Sequence, residues 1–250
     1  MARAAETGNR PRRFYKLAEA GAVDAGFGVL LDGRAVRAPS GARLAVPTLP
    51  LAALLATEWA EQGELIDVGR MPATRLAFTA ADRIGQAREA TEAEIARYAS
   101  ADLLCYFAEA PSGLVERQAR LWAPLLDWAE AELGLTLVRA AGIVHRTQTA
   151  ETLTRVAQLA AALDDYGLAG LATAAGLFGS AVLAFALQRG RLDGLGAFDL
   201  SRLDETFQEE QWGVDAEAAD RTAQMRADAM TLEAWFGALA SGGGHGTPRP

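Results

Sequence analysis

The sequence predicts an α+β fold, with a small β-rich N-terminal domain followed by a larger all-α helical domain. Short apolar runs separated by turn residues fill the first part of the chain, and a helical period of apolar residues dominates from Asp82 onward. The chain has 250 residues, 50% of them hydrophobic, which is enough to bury a real core. We therefore expect a disordered basic tail over 1–12, an α+β domain over 13–82, a helical domain over 83–239 and a disordered tail over 240–250.

The N-terminal domain is predicted from its turns. Asp32-Gly33 is a strong hairpin signal, because both residue types tolerate a positive φ. Strands are expected at residues 14–17, 26–31, 34–37 and 43–46. Residues 51–62 then follow a helical period, and irregular or extended structure is expected over 66–79.

The helical domain is predicted from apolar periodicity, with a kink or break at Pro124. Helices are expected at about residues 82–108, 115–133, 151–166, 169–189, 201–213 and 215–238. The uncharged stretch 167–187 is long enough to cross a bilayer. It contains four glycines and many alanines, which insert poorly, so a buried helix or helical hairpin is the better interpretation.

Composition excludes several classes of protein. The net charge of −8 argues against a nucleic-acid partner, which would need a basic face. A single cysteine, Cys105, excludes a disulfide scaffold and fits a reducing compartment. The arginines before Phe14 are compatible with a transit peptide, but no long leader accompanies them, and a frayed basic tail is the preferred interpretation.

The sequence lacks most of the motifs and residue combinations that catalytic sites use. No phosphate-binding glycine loop and no nucleophile elbow occur, and of the two histidines only His145 lies outside the C-terminal tail. Cys105 lies among apolar residues without a neighbouring base, as expected for a buried small side chain. We therefore predict no catalytic residue, no cofactor and no metal site.

Negative charge is concentrated near the C-terminus. Residues 201–235 contain nine acidic side chains and three arginines, a net charge of −6 out of −8. On a helix, Asp204, Glu205, Gln208, Glu209 and Trp212 share one face. A tryptophan at the end of an acidic stripe is typical of a protein-binding surface, where aromatic anchors supply affinity and charges steer the partner. The alternative is a surface helix whose Trp212 folds back onto the next helix.

The opposite face of the same helix carries Leu203 and Phe207, with Val214 following, and is expected to point toward the core.

The run from Leu203 to Ala218, LDETFQEEQWGVDAEA, resembles the signature of the ATP synthase α-subunit assembly chaperones, the Atp-twelve family. Other stretches resemble the family in the same order along residues 12–238: Arg13 to Lys16, Leu30 to Arg34, Glu58-Trp59 with Gln62, Met71 to Thr74, Thr79 to Asp82, Tyr98 with Asp102, Gln118 with Trp122 to Pro124 and Trp128, and Gly179-Ser180.

The resemblance implies a chaperone that is not an enzyme. Its partner would be the unassembled α subunit of the F-type ATP synthase, which it would keep from aggregating until α pairs with β. It also implies an essential acidic residue in the C-terminal part, which we assign to Glu205, Glu209 and Glu217 as a group. The predicted partner-binding residues are Asp204, Glu205, Gln208, Glu209, Trp212, Asp215 and Glu217.

The lack of a mitochondrial presequence indicates a bacterial, cytoplasmic relative of proteins that act in the mitochondrial matrix, with no membrane insertion. Two alternatives remain. One is a small-molecule enzyme that uses carboxylates in a cleft between the domains. The other is an adaptor subunit that stays permanently in a complex.

Overall fold

The computed structural model describes residues 10–142, 146–213 and 216–241. These residues form two compact units. The first contains the described residues up to Asp82 together with those from Ala238 onward, and the second is Arg83–Gly237. The fold class is the predicted one, a small β-rich unit followed by a larger helical one.

The first unit is built on a three-stranded antiparallel sheet in the order β1 (Ala18–Val23), β2 (Gly26–Leu31), β3 (Arg34–Ala35). The predicted hairpin is confirmed, because Asp32 (φ 46°) and Gly33 (φ 80°) form the turn between β2 and β3. Helix α1 (Leu49–Ala60) packs against β1 and β2.

The strand predicted at residues 14–17 is wrong, because β1 begins at Ala18. The amides of Lys16 and Leu17 donate to the side chain of Asp32 instead of a neighbouring strand. The irregular structure predicted over 66–79 is wrong in its second half, where helix α2 (Pro72–Thr79) forms.

The predicted disordered tail 1–12 is wrong at its inner end. Arg12 forms an antiparallel bridge with Leu65, and Arg10 forms an ion pair with Asp67 at 3.2 Å. Residues 1–9 lie outside the described residues. At the other terminus the predicted tail 240–250 is wrong at Ala240, which belongs to the last helix, and residues 242–250 lie outside the described residues.

The second unit is mainly helical. Its elements are α3 (Gly85–Ser100), β4 (Tyr106–Phe107), α4 (Ser112–Leu121), α5 (Ala123–Trp128), β5 (Ala140–Ala141), α6 (Ala150–Ala161), α7 (Asp165–Phe178), α8 (Ala181–Gln188), α9 (Gly194–Ser201), α10 (Leu203–Trp212) and most of α11 (Ala216–Ala240). Helix α8 forms the centre of the core, since every residue from Ala181 to Leu187 is buried. The short strands β4 and β5 pair in parallel.

Several predicted helices are divided in the structure. The break expected at Pro124 occurs, because α4 ends at Leu121 and α5 starts with proline in its first turn. The helix predicted over 169–189 is two helices, separated at Gly179, which has a left-handed φ of 63°. The helix predicted over 201–213 is α10, which begins after α9 ends at Ser201. In the part of the chain that the structure describes, none of the helices has the length and apolar character required to span a bilayer.

Candidate partner-binding site

Helix α10 packs against α4 through its inner face. Leu203 is buried, and the ring of Phe207 is partly buried close to Gly113. The guanidinium carbon of Arg117 lies 5.2 Å from the centre of the Phe207 ring, a cation–π contact. Both residues expected to face inward therefore do so, and Val214 lies outside the described residues.

Two acidic side chains of the predicted stripe have partners within the unit. Asp204 accepts a hydrogen bond of 2.7 Å from the side-chain amide of Gln118, which is fully buried on α4. Partial burial raises the pKa of Asp204, and the Gln118 hydrogen bond opposes that rise. Glu209 forms a 3.0 Å ion pair with Arg202, just before α10. Asp204 therefore joins α10 to α4, and Glu209 pairs with the residue that caps its own helix.

A third carboxylate, which was not predicted as part of the site, fixes α10 to α4. Arg117 donates two hydrogen bonds to Glu210, at 2.9 and 2.8 Å. This bidentate pair lowers the pKa of the Glu210 carboxyl. Arg117 and Glu210 are absent from the predicted site. Glu210 lies within the run Leu203 to Ala218 that resembles the family, and Arg117 precedes Gln118, another residue of the resemblance, but neither position indicates that the two side chains pair.

The side chains of α10 that point to solvent along one line are Glu205, Gln208 and Trp212, at the helical spacing i, i+3 and i+7. We call these three residues the outer face of α10. Trp212 is 82% exposed, the largest exposure among the large hydrophobic side chains of the described residues. Its ring therefore does not fold back onto the described part of the next helix.

Among the described residues, no arginine or lysine forms an ion pair with Glu205. The outer face thus combines an unpaired negative charge, a polar amide and an exposed indole. It is narrower than the predicted stripe, because Asp204 and Glu209 are directed to partners inside the unit. Asp215 and the side chain of Glu217 lie outside the described residues.

The side chains considered for catalysis or metal binding do not form a reactive site in the described residues. Cys105 is buried, and burial raises the pKa of its thiol to about 12, so the sulfur is a poor nucleophile at neutral pH. His145 lies outside the described residues. In those residues no group of three or more histidine, cysteine, aspartate or glutamate side chains is placed to hold a metal ion.

The chain is similar to several known proteins. A family model described as "ATP12 chaperone protein" matches residues 12–130. Protein atp12, mitochondrial, of Schizosaccharomyces pombe is 28% identical over 215 residues, which are 81% of this chain and 74% of that protein.

Two solved structures extend the similarity. Atp12 from Paracoccus denitrificans is 38% identical, with a TM-score of 0.85 over 90% of this chain and 97% of that one. The Atu1473 protein from Agrobacterium tumefaciens is 40% identical, with a TM-score of 0.85; the match covers 92% of this chain and 86% of that one.

Proposed function

Since this chain belongs to the ATP12 family of chaperone proteins, we propose that its client is the unassembled α subunit of the F-type ATP synthase. It is a chaperone, and we infer that it prevents aggregation of α before α pairs with β. An unpaired α subunit would expose the apolar interface that β later covers, and such a surface tends to associate with copies of itself. This role requires no catalytic residue, cofactor or metal, and no nucleic-acid or membrane partner.

We assign client binding to the outer face of α10, and the observation that carries this assignment is the 82% exposure of Trp212. An aromatic side chain buries about 150–250 Å² on binding. At about 25 cal/mol per Å² this contributes roughly 4–6 kcal/mol before the costs of association. The indole is therefore the expected source of affinity.

Glu205 adds selectivity to this surface. The Glu205 carboxylate is exposed, and none of the described arginines or lysines forms an ion pair with it. It can therefore pair with a basic residue of the client. Exposed charges of this kind accelerate encounter and discriminate between partners more than they add affinity. The client surface that fits is an apolar patch bordered by lysine or arginine. Asp215 and Glu217 follow Trp212 in the sequence and are proposed to extend the acidic border.

We place the chain in the bacterial cytoplasm, which its similarity to proteins of Paracoccus denitrificans and Agrobacterium tumefaciens supports. The partner would be present there as newly synthesised α subunit.

The test is the binding of purified α subunit to the wild-type chain, to Trp212→Ala and to Glu205→Lys. Each substitution is expected to weaken binding about tenfold, a loss of about 1.4 kcal/mol, with unchanged helicity by circular dichroism. Glu89→Lys, at an exposed position of α3, is the matched control for the change of charge and should bind like wild type. Glu209 is not substituted, because its ion pair with Arg202 supports the fold.

The outcomes separate the two parts of the proposal. If the wild-type chain neither binds the α subunit nor reduces its light scattering on dilution from denaturant, the proposed client is wrong. If the wild-type chain binds and both variants bind equally well, the client stands and the outer face of α10 is not the binding site.

A further inference from the structure

The first unit carries a cleft of about 560 Å³ on its sheet, well away in sequence from α10. This volume is in the range of ligand-binding sites in proteins. Part of its lining is apolar and comes from the three strands, with Val23 of β1, Leu30 of β2 and Ala35 of β3. Charged side chains form the rest, and they are mainly arginines.

Strand register explains how the cleft acquires its charge. Leu30 is the partner of Ala35, and Arg37 follows Ala35 by two residues, so these side chains share one face of the sheet. Arg43 is directly opposite Arg37 in an antiparallel bridge and joins the same face. Val36 points to the other side and is buried in the core.

Arg37 and Arg43 are thus like charges in a cross-strand pair, an arrangement that destabilises a sheet. Arg43 forms a 2.6 Å ion pair with Asp24, whereas Arg37 has no ion pair with a described residue and donates a 2.6 Å hydrogen bond to the carbonyl of Gly41. Arg34 also lines the cleft, which therefore holds three cations and one anion. A net charge of +2 is concentrated there in a chain whose total is −8.

We propose that this arginine cleft, defined by Arg34, Arg37 and Arg43, binds an acidic polypeptide segment in an extended conformation. Guanidinium groups match carboxylates with two parallel hydrogen bonds. In an extended segment successive side chains point to opposite sides, so acidic residues at every second position can all face the arginines while the small residues between them face away from the sheet. A long polyanion such as nucleic acid is disfavoured by the negative charge of the rest of the chain.

This inference goes beyond the proposed function, because it concerns a different unit and does not depend on the identity of the client. It assigns a second interaction surface of opposite charge to that of α10. A chaperone with two such surfaces can engage both a basic and an acidic region of a polypeptide.

The test is fluorescence anisotropy of a labelled ten-residue peptide of alternating glutamate and threonine, added to the full chain. We expect saturable binding that weakens with added salt and is at least about tenfold weaker in Arg37→Glu with Arg43→Glu. Arg70→Glu with Arg75→Glu is the matched control, since both residues are exposed in the same unit, change the charge equally and lie outside the cleft. A peptide of alternating glutamine and threonine should not bind.

The proposal would be overturned by no saturable binding to wild type, by equal weakening in the two double variants, or by equal binding of the glutamine peptide. Inorganic phosphate that displaces the acidic peptide at matched ionic strength would identify a small-anion site and also reject a peptide site. If the charge-reversed chain does not fold, Arg37→Gln with Arg43→Gln takes its place, with the same expected direction.

Discussion

At the scale of single residues, the carboxylate of Asp102 is fully buried after α3 and accepts hydrogen bonds from three partners. It accepts a 2.7 Å hydrogen bond from the Ser180 hydroxyl and bonds of 3.1 Å from the amides of Leu104 and Val182. One side chain therefore joins the segment after α3 to the first turn of α8. Burial outweighs these hydrogen bonds and raises the pKa of Asp102 to about 6.

The raised pKa predicts how stability changes with pH. The unfolded chain has an aspartate pKa of about 3.9, so between about pH 4 and pH 6 the folded chain binds more protons at Asp102 than the unfolded chain does. The contribution of this group to stability is complete below about pH 4 and is lost as pH rises through about 6.

Asp102→Asn cannot titrate and isolates this effect. We expect the free energy of unfolding of wild type, minus that of Asp102→Asn, to fall by roughly 2 kcal/mol between pH 4 and pH 7 in urea titrations. Asp199→Asn, at an exposed position of α9, is measured alongside as the control for the loss of one carboxylate. A difference that grows with pH would mean that the site favours the ionised carboxylate.

Two further residues of the family resemblance, Arg13 and Trp122, join distant parts of the fold by side-chain hydrogen bonds, as Asp102 does. The Arg13 guanidinium donates to the backbone carbonyls of Tyr15, Ala60 and Gln62. The indole N–H of Trp122 donates to the carbonyl of Leu200. Such residues identify the fold, because their side chains satisfy backbone carbonyl groups that are distant in the sequence. Trp122 is buried and Arg13 is half-buried, so these two residues could not show which surface binds a partner.

At the scale of elements, helix α2 is capped by a side chain from another helix. Its N-cap residue, Met71, makes no side-chain hydrogen bond. Glu58 of α1 accepts bonds of 2.8 Å and 2.7 Å from the amides of Ala73 and Thr74 instead. Burial raises the pKa of Glu58, and these bonds favour its ionised form. This carboxylate satisfies two amides that the first turn of a helix leaves unpaired.

Glu58→Ala is therefore expected to lower the free energy of unfolding by about 1–3 kcal/mol, because it leaves two amides without their acceptor. The measurement is urea denaturation at neutral pH. Glu61→Ala is the control. It removes an exposed carboxylate at the C-cap of α1, three residues after Glu58, and should change stability by no more than about 0.5 kcal/mol. Equal losses in both variants would show that charge, and not capping, is responsible.

Elements with strong local signals could be predicted from the sequence, and those made by distant contacts could not. The Asp32-Gly33 turn requires positive φ at both positions, so its residue types reveal it. Strand β1 is rich in alanine and glycine, and it forms because all six of its residues pair with β2.

The same distinction between local and distant contacts applies to the candidate site. Helical spacing brought Glu205 and Trp212 to one face. It could not show that Asp204 would bond to Gln118, 86 residues away.

At the scale of the whole molecule, the first unit is assembled from two distant parts of the chain, since the described residues from Ala238 onward, 238–241, belong to it. The hydroxyl of Thr48 joins these parts. It accepts a 3.2 Å hydrogen bond from the amide of Leu51, which caps α1, and donates a 2.8 Å bond to the carbonyl of Ala238. Because Thr48 is buried, water cannot readily replace either bond.

Thr48→Val keeps the shape of the side chain and removes both bonds, so we expect it to destabilise the first unit by about 1–3 kcal/mol. Hydrogen exchange followed by mass spectrometry should show faster exchange in α1, in β2 and around Ala238, with α8 unchanged. Thr48→Ser retains the hydroxyl and should exchange much as wild type does. Because α11 runs from the second unit into the first, the alternative outcome is equally informative: faster exchange in α8 as well would show that the two units unfold as one cooperative structure.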